Sequence, residues 1–599
     1  MTHKLSRPHY LGAIVIIFLL AAALRLYALE ADAPLHMSIY PGLSNDGIQT
    51  IAAARDKIVF GSWLTPHAMS NRTLYHNFPA MSWLGYLFFR LFGLGYWQAN
   101  LISVVTGLLA IAFTGAFARD HFGRRTAVLA MLFMATNYLF IVYNRTPIVY
   151  TTLAAVMAFA LYLWGKGLLT HGLHWYIAAL VVALFGIFYV KILGVVLIPA
   201  LVAGLLVAGQ RRQLISRRTA FISALLTLAI IPVVYLLLEA SAPRVATVLQ
   251  SYFRVAFSRT FRFTANPAEN VEFFFRSVLQ FGIFSSIFVR MLPLFVLSYG
   301  FLFYRSAQLL SRQRPRLSIA ELMLLVFAAS TFFVLMFNRG QPTRYYVVLI
   351  PPMSLTAALA LDRWLRSERL RLPEQFGRFY PLIIMLGLAY LVYQLLVAAH
   401  KLLMVARLGT GLADYQAIVD PIRLIQLFAV SLIAGLALAL LFVWRVKGRG
   451  EPQIQLPGRR ARLAVAALLV LLVIGSDLFQ YLNWARDPQY TLVEASGSFA
   501  ERVGPDAIVG GSYAYPLAMD SEIRAFYIIK KNLANLDNRE ALHRTGFTHL
   551  IIDEPGSPVY GQVDYDSLFD AYPELRDQVR LSHAYYLRDN LVVLYEVIR

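Results

Sequence analysis

Thirteen runs of mostly apolar residues divide this 599-residue chain. A helix needs about 20 such residues to cross the hydrocarbon core of a bilayer. Outside a closed barrel, no other element satisfies all of its backbone hydrogen bonds there. The runs therefore predict a polytopic α-helical membrane protein with about 13 transmembrane helices. They lie at 10–29, 96–117, 126–143, 148–165, 175–190, 192–209, 219–238, 284–304, 318–337, 344–361, 379–399, 423–444 and 463–483.

The composition agrees with this fold class. Apolar residues make up 58% of the chain and charged residues 15%, whereas a soluble domain has about 45–50% and about 25%. This excludes an ordinary cytosolic enzyme, a disordered chain and a fibrous repeat. The chain has no cysteine, which excludes disulfides, thiol catalysis and thiolate metal sites.

The last part of the chain differs from the rest in charge. Residues 485–599 contain 17 of the 33 acidic residues but only 11 of the 54 Lys and Arg residues. Strand-like runs at 507–509, 549–552 and 591–595 are separated by helix-like stretches, which predicts a small α/β domain. We therefore expect a transmembrane domain over 1–484 and a C-terminal α/β domain over 485–599.

Basic residues predict the orientation of the transmembrane domain. With a cytoplasmic N-terminus, the inner loops carry most of the Lys and Arg, as the positive-inside rule requires. An odd number of spans then makes the C-terminal domain extracytoplasmic, in a multi-pass protein of the plasma (inner) membrane. Two outer loops are long, 30–95 and the Arg- and Phe-rich 239–283. Arginines in short loops between apolar runs indicate contact with membrane lipids and no nucleic-acid partner.

Few acidic residues are expected on the outer side before the C-terminal domain, and Asp46 is distinguished by its setting. It comes just before the segment 48–59, whose apolar pattern predicts a short amphipathic helix on the membrane surface. Asp is a favoured N-cap residue, so a structural cap is one interpretation. A carboxylate at a helix start can also serve as a general base, and the two roles are compatible. Asp477, near the outer end of the last run, is predicted to pair with a basic residue.

Positive charge on the outer side is disfavoured, so the basic residues expected there need a reason. Lys191 separates two spans, and a charge within the membrane indicates a functional site by default. Arg339 and Arg344 lie where the run 318–337 ends and the run 344–361 begins, while Arg259 and Arg262 alternate with aromatic residues in the second long loop. Arg and Lys bind phosphate strongly, so such a cluster suits the phosphate ester of a lipid. The alternative is headgroup anchoring and ion pairing.

The order of these features resembles the GT-C glycosyltransferases. The similarity is greatest to the aminoarabinose-transferase and protein O-mannosyltransferase branch, which uses polyprenyl-phosphate sugars. It rests on Leu24-Arg25-Leu26-Tyr27, Asp46 before IAAARDKIVFGSWLTP, Leu74-Tyr75-His76-Asn77-Phe78-Pro79, Phe89-Arg90-Leu91-Phe92-Gly93, Phe122-Gly123-Arg124-Arg125, Asn144-Arg145-Thr146, Tyr189-Val190-Lys191-Ile192-Leu193-Gly194, and Arg344-Tyr345-Tyr346 followed by Pro351-Pro352.

This resemblance implies a membrane glycosyltransferase. It would move a sugar from a polyprenyl-phosphate donor to a hydroxyl of a lipid, glycan or protein acceptor on the outer face, usually with inversion. Asp46 would be the base that takes the proton of the acceptor hydroxyl. Lys191 would bind the donor phosphate, with Arg259, Arg262 and Arg344 in weaker roles.

The chain departs from the family pattern at three places. Gly47 stands where the family has Glu after its Asp, and His76-Asn77 replaces a Glu-Lys pair. Tyr150 replaces a second Asp, five residues after the Arg matched by Arg145. Without that acid, no metal held by paired carboxylates is expected, and no cofactor is expected; a catalytically inactive relative is the alternative. The residues that the resemblance leaves as possible substrate contacts are His76, Asn77, Arg145, Tyr150, Arg339 and Tyr345.

Two other classes of function stay open. A lipid or polysaccharide transporter would show paired repeats or broken helices in matching halves, and no such halves are recognisable. A non-catalytic protein that binds a cell-envelope polymer would tolerate Asp46→Asn, whereas a transferase would lose turnover. Flux into vesicles without sugar transfer would indicate the transporter.

Overall fold

The structure is a computed structural model, and among the residues that it describes ten helical segments are long and apolar enough to cross a membrane. This confirms a polytopic α-helical membrane protein, while the predicted count of thirteen spans is not confirmed. The structure describes residues 6–34, 47–63, 79–211, 217–241, 269–270, 272–273, 277, 290–310, 317–337, 343–367, 369–371, 380–408, 421–447, 453–527, 546–553, 573–587 and 590–598.

Most of the predicted apolar runs coincide with helices. The helices of the first half are α1 (Arg7–Leu26), α2 (Ala52–Phe60), α3 (Pro79–Phe92), α4 (Tyr96–Phe122), α5 (Arg124–Thr136), α6 (Tyr138–Tyr143), α7 (Val149–Thr170), α8 (Leu173–Phe185), α9 (Ile198–Gln210) and α10 (Arg217–Ser241). Those of the second half are α11 (Leu292–Leu310), α12 (Ile319–Met336), α13 (Ile350–Arg366), α14 (Tyr380–Leu408), α15 (Pro421–Lys447), α16 (Arg459–Ala485), α17 (Thr491–Val503) and the short α18 (Ala514–Leu517).

The predicted run 126–143 is not one helix but two, divided at Asn137. The Asn137 side chain accepts a hydrogen bond of 3.0 Å from the Phe140 N–H, and Asp477 Oδ1 accepts one of 3.1 Å from the Tyr138 N–H. Both oxygens satisfy donors at the start of α6 that a helix leaves unpaired. Asp477 therefore caps a helix and contacts the Asn137 amide. The expectation that it pairs with a basic residue was wrong, because a helix N-terminus supplies the positive end of a dipole instead.

The centre and the periphery of the helical bundle differ in exposure. In the span that contains α13, 89% of the most apolar 18-residue window is buried, against 17% in α16. Large apolar side chains such as Ile433 and Leu471 are exposed on the peripheral helices. These faces suit contact with lipid chains, which are as apolar as leucine.

Ion pairs close the far end of the bundle, away from the C-terminal domain. Glu321 is buried and binds Arg305 at 2.7 Å and also Arg363. At the same end, Asp120 binds Lys166 at 2.9 Å. Buried carboxylates need such partners, because an unpaired ion in an apolar surrounding is costly.

The C-terminal domain contains a five-stranded mixed sheet, so the predicted small α/β domain is present. Its strands are β3 (Ile508–Gly511), β4 (Arg524–Tyr527), β5 (His549–Asp553), β6 (Val579–Leu587) and β7 (Asn590–Val597), in the order β4-β3-β5-β7-β6. β3 is parallel to β4 and β5, while β7 is antiparallel to β5 and β6. A separate antiparallel pair joins β1 (Arg369–Arg371) to β2 (Gln453–Gln455).

Gly511 at the end of β3 pairs with Ile551 of β5 and lies close to its backbone. A Cβ at this position would lie 1.8 Å from the carbonyl oxygen of Ile551, and the backbone φ is +140°. Only glycine fits both the space and the conformation.

Candidate functional site

Lys191 lies at a break between two helical segments. After α8, a π-helical turn covers Gly186–Val190, and a 3-10 helix covers Ile192–Leu197 before α9 begins. Lys191 itself is extended, with φ −161° and ψ 134°. Its N–H donates to the Gly186 carbonyl at 2.8 Å, and its own carbonyl accepts from the Gly194 N–H at 2.9 Å. The break thus places a cationic side chain within an apolar run, where a charge is costly without a function or a partner.

Two tyrosines and an arginine continue from Lys191 as a row of cation and ring contacts. Lys191 Nζ lies 5.7 Å from the centre of the Tyr150 ring. The Tyr150 and Tyr345 rings are 4.9 Å apart at 44°, and Arg344 Cζ lies 5.7 Å from the centre of the Tyr345 ring. Cations at such distances are attracted by the negative face of a ring. We call Lys191, Tyr150, Tyr345 and Arg344 the cation–tyrosine cluster.

The local fold explains why residues so far apart in sequence meet in this cluster. Arg344 and Tyr345 lie in a second 3-10 helix, Thr343–Leu349, that leads into α13. Pro351 stands at the first positions of α13, where its missing N–H costs nothing. Tyr150 lies in the first turn of α7 and is buried. Irregular helical turns of this kind often mark functional sites.

The chain next to Asp46 is held against the segment that precedes Tyr150. Asp46 lies outside the described residues. A Cβ on Gly47, the following residue, would lie 2.6 Å from Thr146 Cγ2. The Thr50 hydroxyl lies 2.7 Å from the carbonyl oxygens of both Gly47 and Pro147. Gly47 is therefore held against the residues that immediately precede α7. Tyr150 of the cation–tyrosine cluster lies in the first turn of that helix.

Helix α2, which follows this contact, is buried and does not lie on the surface. Ile51, Ala52 and Ala54 are completely buried, and a Cβ on Gly85 of α3 would lie 2.9 Å from the Ala54 Cβ. The prediction of an amphipathic surface helix over 48–59 was wrong for this reason. Small side chains let α3 approach on one side, and the C-terminal domain covers another.

Arg55 and Asp56 join α2 to the C-terminal domain. Arg55 is fully buried and donates to the carbonyl oxygens of Ala518 at 2.9 Å and Ile523 at 2.7 Å. It also binds Asp56 at 3.1 Å, and Asp56 accepts a hydrogen bond of 2.9 Å from the Tyr515 hydroxyl. Burial raises the pKa of Asp56 to about 6, although Arg55 and Tyr515 act in the opposite direction.

Arg145 does not join the cation–tyrosine cluster. Its guanidinium donates to the carbonyl oxygens of Tyr27 and Ala28 at the end of α1. It also lies over Trp484, 4.2 Å from the ring centre. The structure thus places Arg145 beside the ends of α1 and α16.

His76, Asn77, Arg259, Arg262 and Arg339 lie outside the described residues, as Asp46 does. Within the described part, no group of three or more His, Asp or Glu side chains could hold a metal ion. The expectation of no metal therefore stays a prediction.

Sequence reasoning did not identify Arg25 as an organising residue. Arg25 is fully buried and donates to Asn144 Oδ1 at 2.8 Å and to the carbonyl oxygens of Ala21, Ala135 and Met134. A Cβ on Gly107 would lie 2.0 Å from Asn144 Oδ1, so α4 needs glycine there. The sequence contained one indication of this role, because Arg25 lies in the last turn of an apolar run, where a charge needs partners.

Trp484 and Tyr481 were also missed. Together with Arg145 they line a cavity near the end of α16. The sequence gives little reason to single them out, because aromatic residues are common at the end of a span, where they act as interfacial anchors.

Comparisons with known proteins agree with this fold. Residues 76–236 match the family model described as dolichyl-phosphate-mannose-protein mannosyltransferase. No curated protein matches the chain in sequence.

Solved structures match over almost the whole chain. The ArnT structure from Cupriavidus metallidurans bound to undecaprenyl phosphate is 18% identical, covers 98% of both chains and has a TM-score of 0.55. Its apo state is 18% identical over the same shares, with a TM-score of 0.51. The oligosaccharyltransferase AglB from Archaeoglobus fulgidus, in complex with an inhibitory peptide and a dolichol-phosphate, is 13% identical over 91% of this chain and 69% of its own, with a TM-score of 0.49.

The two ArnT structures show that the chain has their fold. With the family match, this confirms the predicted resemblance to the GT-C glycosyltransferases and supports a membrane glycosyltransferase.

Proposed function

We propose that this protein transfers a sugar from a polyprenyl-phosphate donor to an acceptor hydroxyl on the extracytoplasmic side of the inner membrane. The observation that carries the proposal is the cation–tyrosine cluster. It gathers Lys191 and Arg344 from two irregular turns at the end of the bundle that faces the C-terminal domain. ArnT, which has the same fold, was solved with undecaprenyl phosphate.

The cluster suits a leaving phosphate. When the bond between the anomeric carbon and the phosphate oxygen breaks, negative charge develops on the phosphate. Lys191 and Arg344 would stabilise this charge, and such electrostatic stabilisation is often the largest single contribution to catalysis. The faces of the two tyrosine rings attract these cations and help to hold them in place. Arg259 and Arg262 would add positive charge from the second long loop.

Asp46 would supply the base. Its carboxylate takes the proton of the acceptor hydroxyl as the oxygen attacks the anomeric carbon, with inversion at that carbon. Support comes from Gly47, whose contact with Thr146 fixes the chain next to the start of α7. No metal takes part in this mechanism, so a chelator should leave turnover unchanged.

The orientation follows from the same proposal. A cytoplasmic N-terminus puts the contacts of α2 with Tyr515 and Ala518 on the extracytoplasmic side. The acceptor is then a lipid, glycan or protein of the cell envelope.

Native mass spectrometry of the purified protein with a panel of polyprenyl-phosphate sugars tests the proposal. Asp46→Asn should retain the intact donor, while the wild type, given acceptor, should retain free polyprenyl phosphate. Lys191→Ala should lose most of the bound lipid. No retention of any polyprenyl phosphate by the wild type would contradict the function, and full turnover by Asp46→Asn would contradict the base.

Lys166→Ala is the matched control for Lys191→Ala. Lys166 also lies over a tyrosine, with Nζ 5.3 Å from the centre of the Tyr162 ring. It is near the opposite end of α7 and is paired with Asp120 at 2.9 Å. Removing it should leave lipid retention unchanged. Equal losses in both variants would show that retention reports general destabilisation.

A further inference from the structure

Two buried cations that are not members of the cation–tyrosine cluster lie at the end of the bundle that faces the C-terminal domain. Arg290 stands two residues before α11 and is 7% exposed, while Lys401 belongs to α14 and is 1% exposed. The charge of Arg290 is close enough to repel that of Lys401. Burying two like charges near one another is costly, and a charge within the membrane indicates a functional site by default.

The Arg290 guanidinium has no anionic partner among the residues that the structure describes. No described atom accepts a hydrogen bond from its buried Nε, and no ion pair of the described ranges includes it. The neighbouring Gln480 of α16 donates to the Arg290 carbonyl oxygen at 2.7 Å, which leaves the charge as it is. Only Nε of the three guanidinium nitrogens is both enclosed and unpartnered, so an anion would bind at the two terminal nitrogens.

The depth of Arg290 matches that of a lipid phosphate. α16 has 27 residues, so it is about 40 Å long, which is about the thickness of a bilayer with its headgroups. Gln480, which contacts Arg290, lies about 7 Å from the end of this helix at Ala485. The headgroup layer on each side of a bilayer is roughly 5–7 Å thick. Arg290 is therefore held where the hydrocarbon core meets the headgroups.

Neighbouring side chains open this place to lipid chains. On α16, Phe479 and Leu482 adjoin Gln480 and are exposed, and on α14, Leu402 follows Lys401 and is exposed. Exposed apolar faces of membrane helices suit contact with lipid chains. A lipid whose chains lie on these faces brings its phosphate to the level of the two cations.

We infer that Arg290 and Lys401 bind the phosphate of an anionic phospholipid. A guanidinium binds phosphate with two parallel hydrogen bonds, and an ammonium adds a second point charge. The phosphate offsets the repulsion between the two cations and replaces the water that Arg290 loses on burial. The inference goes beyond the proposed function, because it concerns a lipid that is neither donor nor acceptor of the sugar.

Native mass spectrometry of the delipidated full-length protein, titrated with lipid in detergent, tests the inference. The probe is phosphatidylglycerol, and diacylglycerol supplies the same chains without a phosphate. The wild type should bind phosphatidylglycerol with a Kd lower by about tenfold or more, as expected for hydrogen bonds between charged groups. Equal Kd values for the two lipids overturn the inference without recourse to any variant.

Arg290→Met removes the charge, and no hydrogen bond between the guanidinium and the described residues is lost with it. It should raise the Kd for phosphatidylglycerol about tenfold or more without lowering the melting temperature of the lipid-free protein. Arg290→Lys keeps the charge and should retain part of the affinity. Arg486→Met is the matched control, because it removes an exposed arginine at the end of α16 and should leave the Kd unchanged.

Lys191→Ala separates this site from the donor site. It should lose undecaprenyl phosphate and keep phosphatidylglycerol, whereas Arg290→Met should do the reverse. If Arg290→Met loses only undecaprenyl phosphate, Arg290 belongs to the donor site and the inference is wrong. An unchanged Kd for phosphatidylglycerol in Arg290→Met overturns it as well, and so does displacement of phosphatidylglycerol by inorganic phosphate, which has no chains. Failure of the wild type to retain undecaprenyl phosphate contradicts the proposed function alone.

Discussion

The carboxylate of Asp32 caps the first helix of the C-terminal domain. Its Oδ2 accepts hydrogen bonds from the backbone N–H of Thr491 at 2.8 Å and from the Thr491 hydroxyl at 2.7 Å. Its Oδ1 accepts a weaker one from the Leu492 N–H at 3.3 Å. Because Asp32 follows α1 closely, these contacts tie the end of the first membrane helix to α17.

Removing this cap should loosen the C-terminal domain. We expect Asp32→Ala to lower the free energy of unfolding by about 1–2 kcal/mol, the usual effect of losing a capping carboxylate. Asp32→Asn should lower the free energy of unfolding by less, because an amide oxygen can still accept hydrogen bonds from Thr491. Unfolding in detergent, followed by tryptophan fluorescence, gives the unfolding midpoint of the wild type and of each variant. An unchanged Asp32→Ala midpoint would show that the cap contributes nothing.

Asp56 should make stability depend on pH in a defined window. Its folded pKa of about 6 lies above the ordinary value of 3.8, so the folded state binds the proton more tightly than the unfolded state. Stability therefore falls as pH rises from about 4 to about 6 and is constant above that range, as far as Asp56 is concerned. Subtracting the unfolding midpoints of Asp56→Asn from those of the wild type between pH 4 and 8 isolates this dependence. A flat or rising difference would contradict the assignment.

Gly107→Ala should be strongly destabilising. The new Cβ would lie 2.0 Å from Asn144 Oδ1, which accepts a hydrogen bond from Arg25. Overpacking typically costs about 1–3 kcal/mol, and loss of a hydrogen bond to a buried charge adds about 1.5–3 kcal/mol. Gly300→Ala in α11 is the control, because beyond its own helix backbone no atom of the described residues lies within 4 Å of a Cβ added there. Equal melting temperatures for the two variants would exclude the steric explanation.

Tyr150 should act through its ring face. Tyr150→Phe keeps a face for Lys191 and Tyr345 and should change the Kd for undecaprenyl phosphate less than threefold. Tyr150→Leu removes the face and should raise the Kd about three- to thirtyfold, corresponding to a cation–π contribution of about 0.5–2 kcal/mol. Tyr162→Leu removes the ring beside Lys166 and serves as the control. Equal Kd values for Tyr150→Leu and the wild type would remove the ring from the donor site.

The sequence predicts the membrane class and the C-terminal α/β domain, because each depends on local composition. Hydropathy also reveals the short gap between two spans at Lys191, where the structure has its helix break. It does not reveal the division at Asn137, since that break depends on Asp477, which is 340 residues away. The short strand β4 and the strand β6, whose burial pattern is mostly exposed, lack an apolar run and were not predicted.

In the candidate site, too, contacts between residues that are distant in sequence could not be predicted. Tyr345 contacts Tyr150 because a 3-10 helix packs against α7, and no local sequence pattern predicts this contact. The family resemblance supplied these residues as separate candidates. It placed Arg145 among them without distinguishing its different surroundings beside Trp484. The pairing of Asp56 with Tyr515 also had no signal in the sequence, because the two residues are 459 positions apart.

The contact between Arg55 and the Ala518 carbonyl spans 463 positions of the chain. It therefore sets an order of events during biosynthesis. The ribosome makes the proposed base early, yet Arg55 and Asp56 in the helix beside it gain their partners Ala518 and Tyr515 only after the C-terminal domain has been synthesised. Contacts of such long range also form slowly. A nascent or truncated chain without the C-terminal domain would thus be inserted in the membrane but inactive. Activity would begin only after that domain has been synthesised.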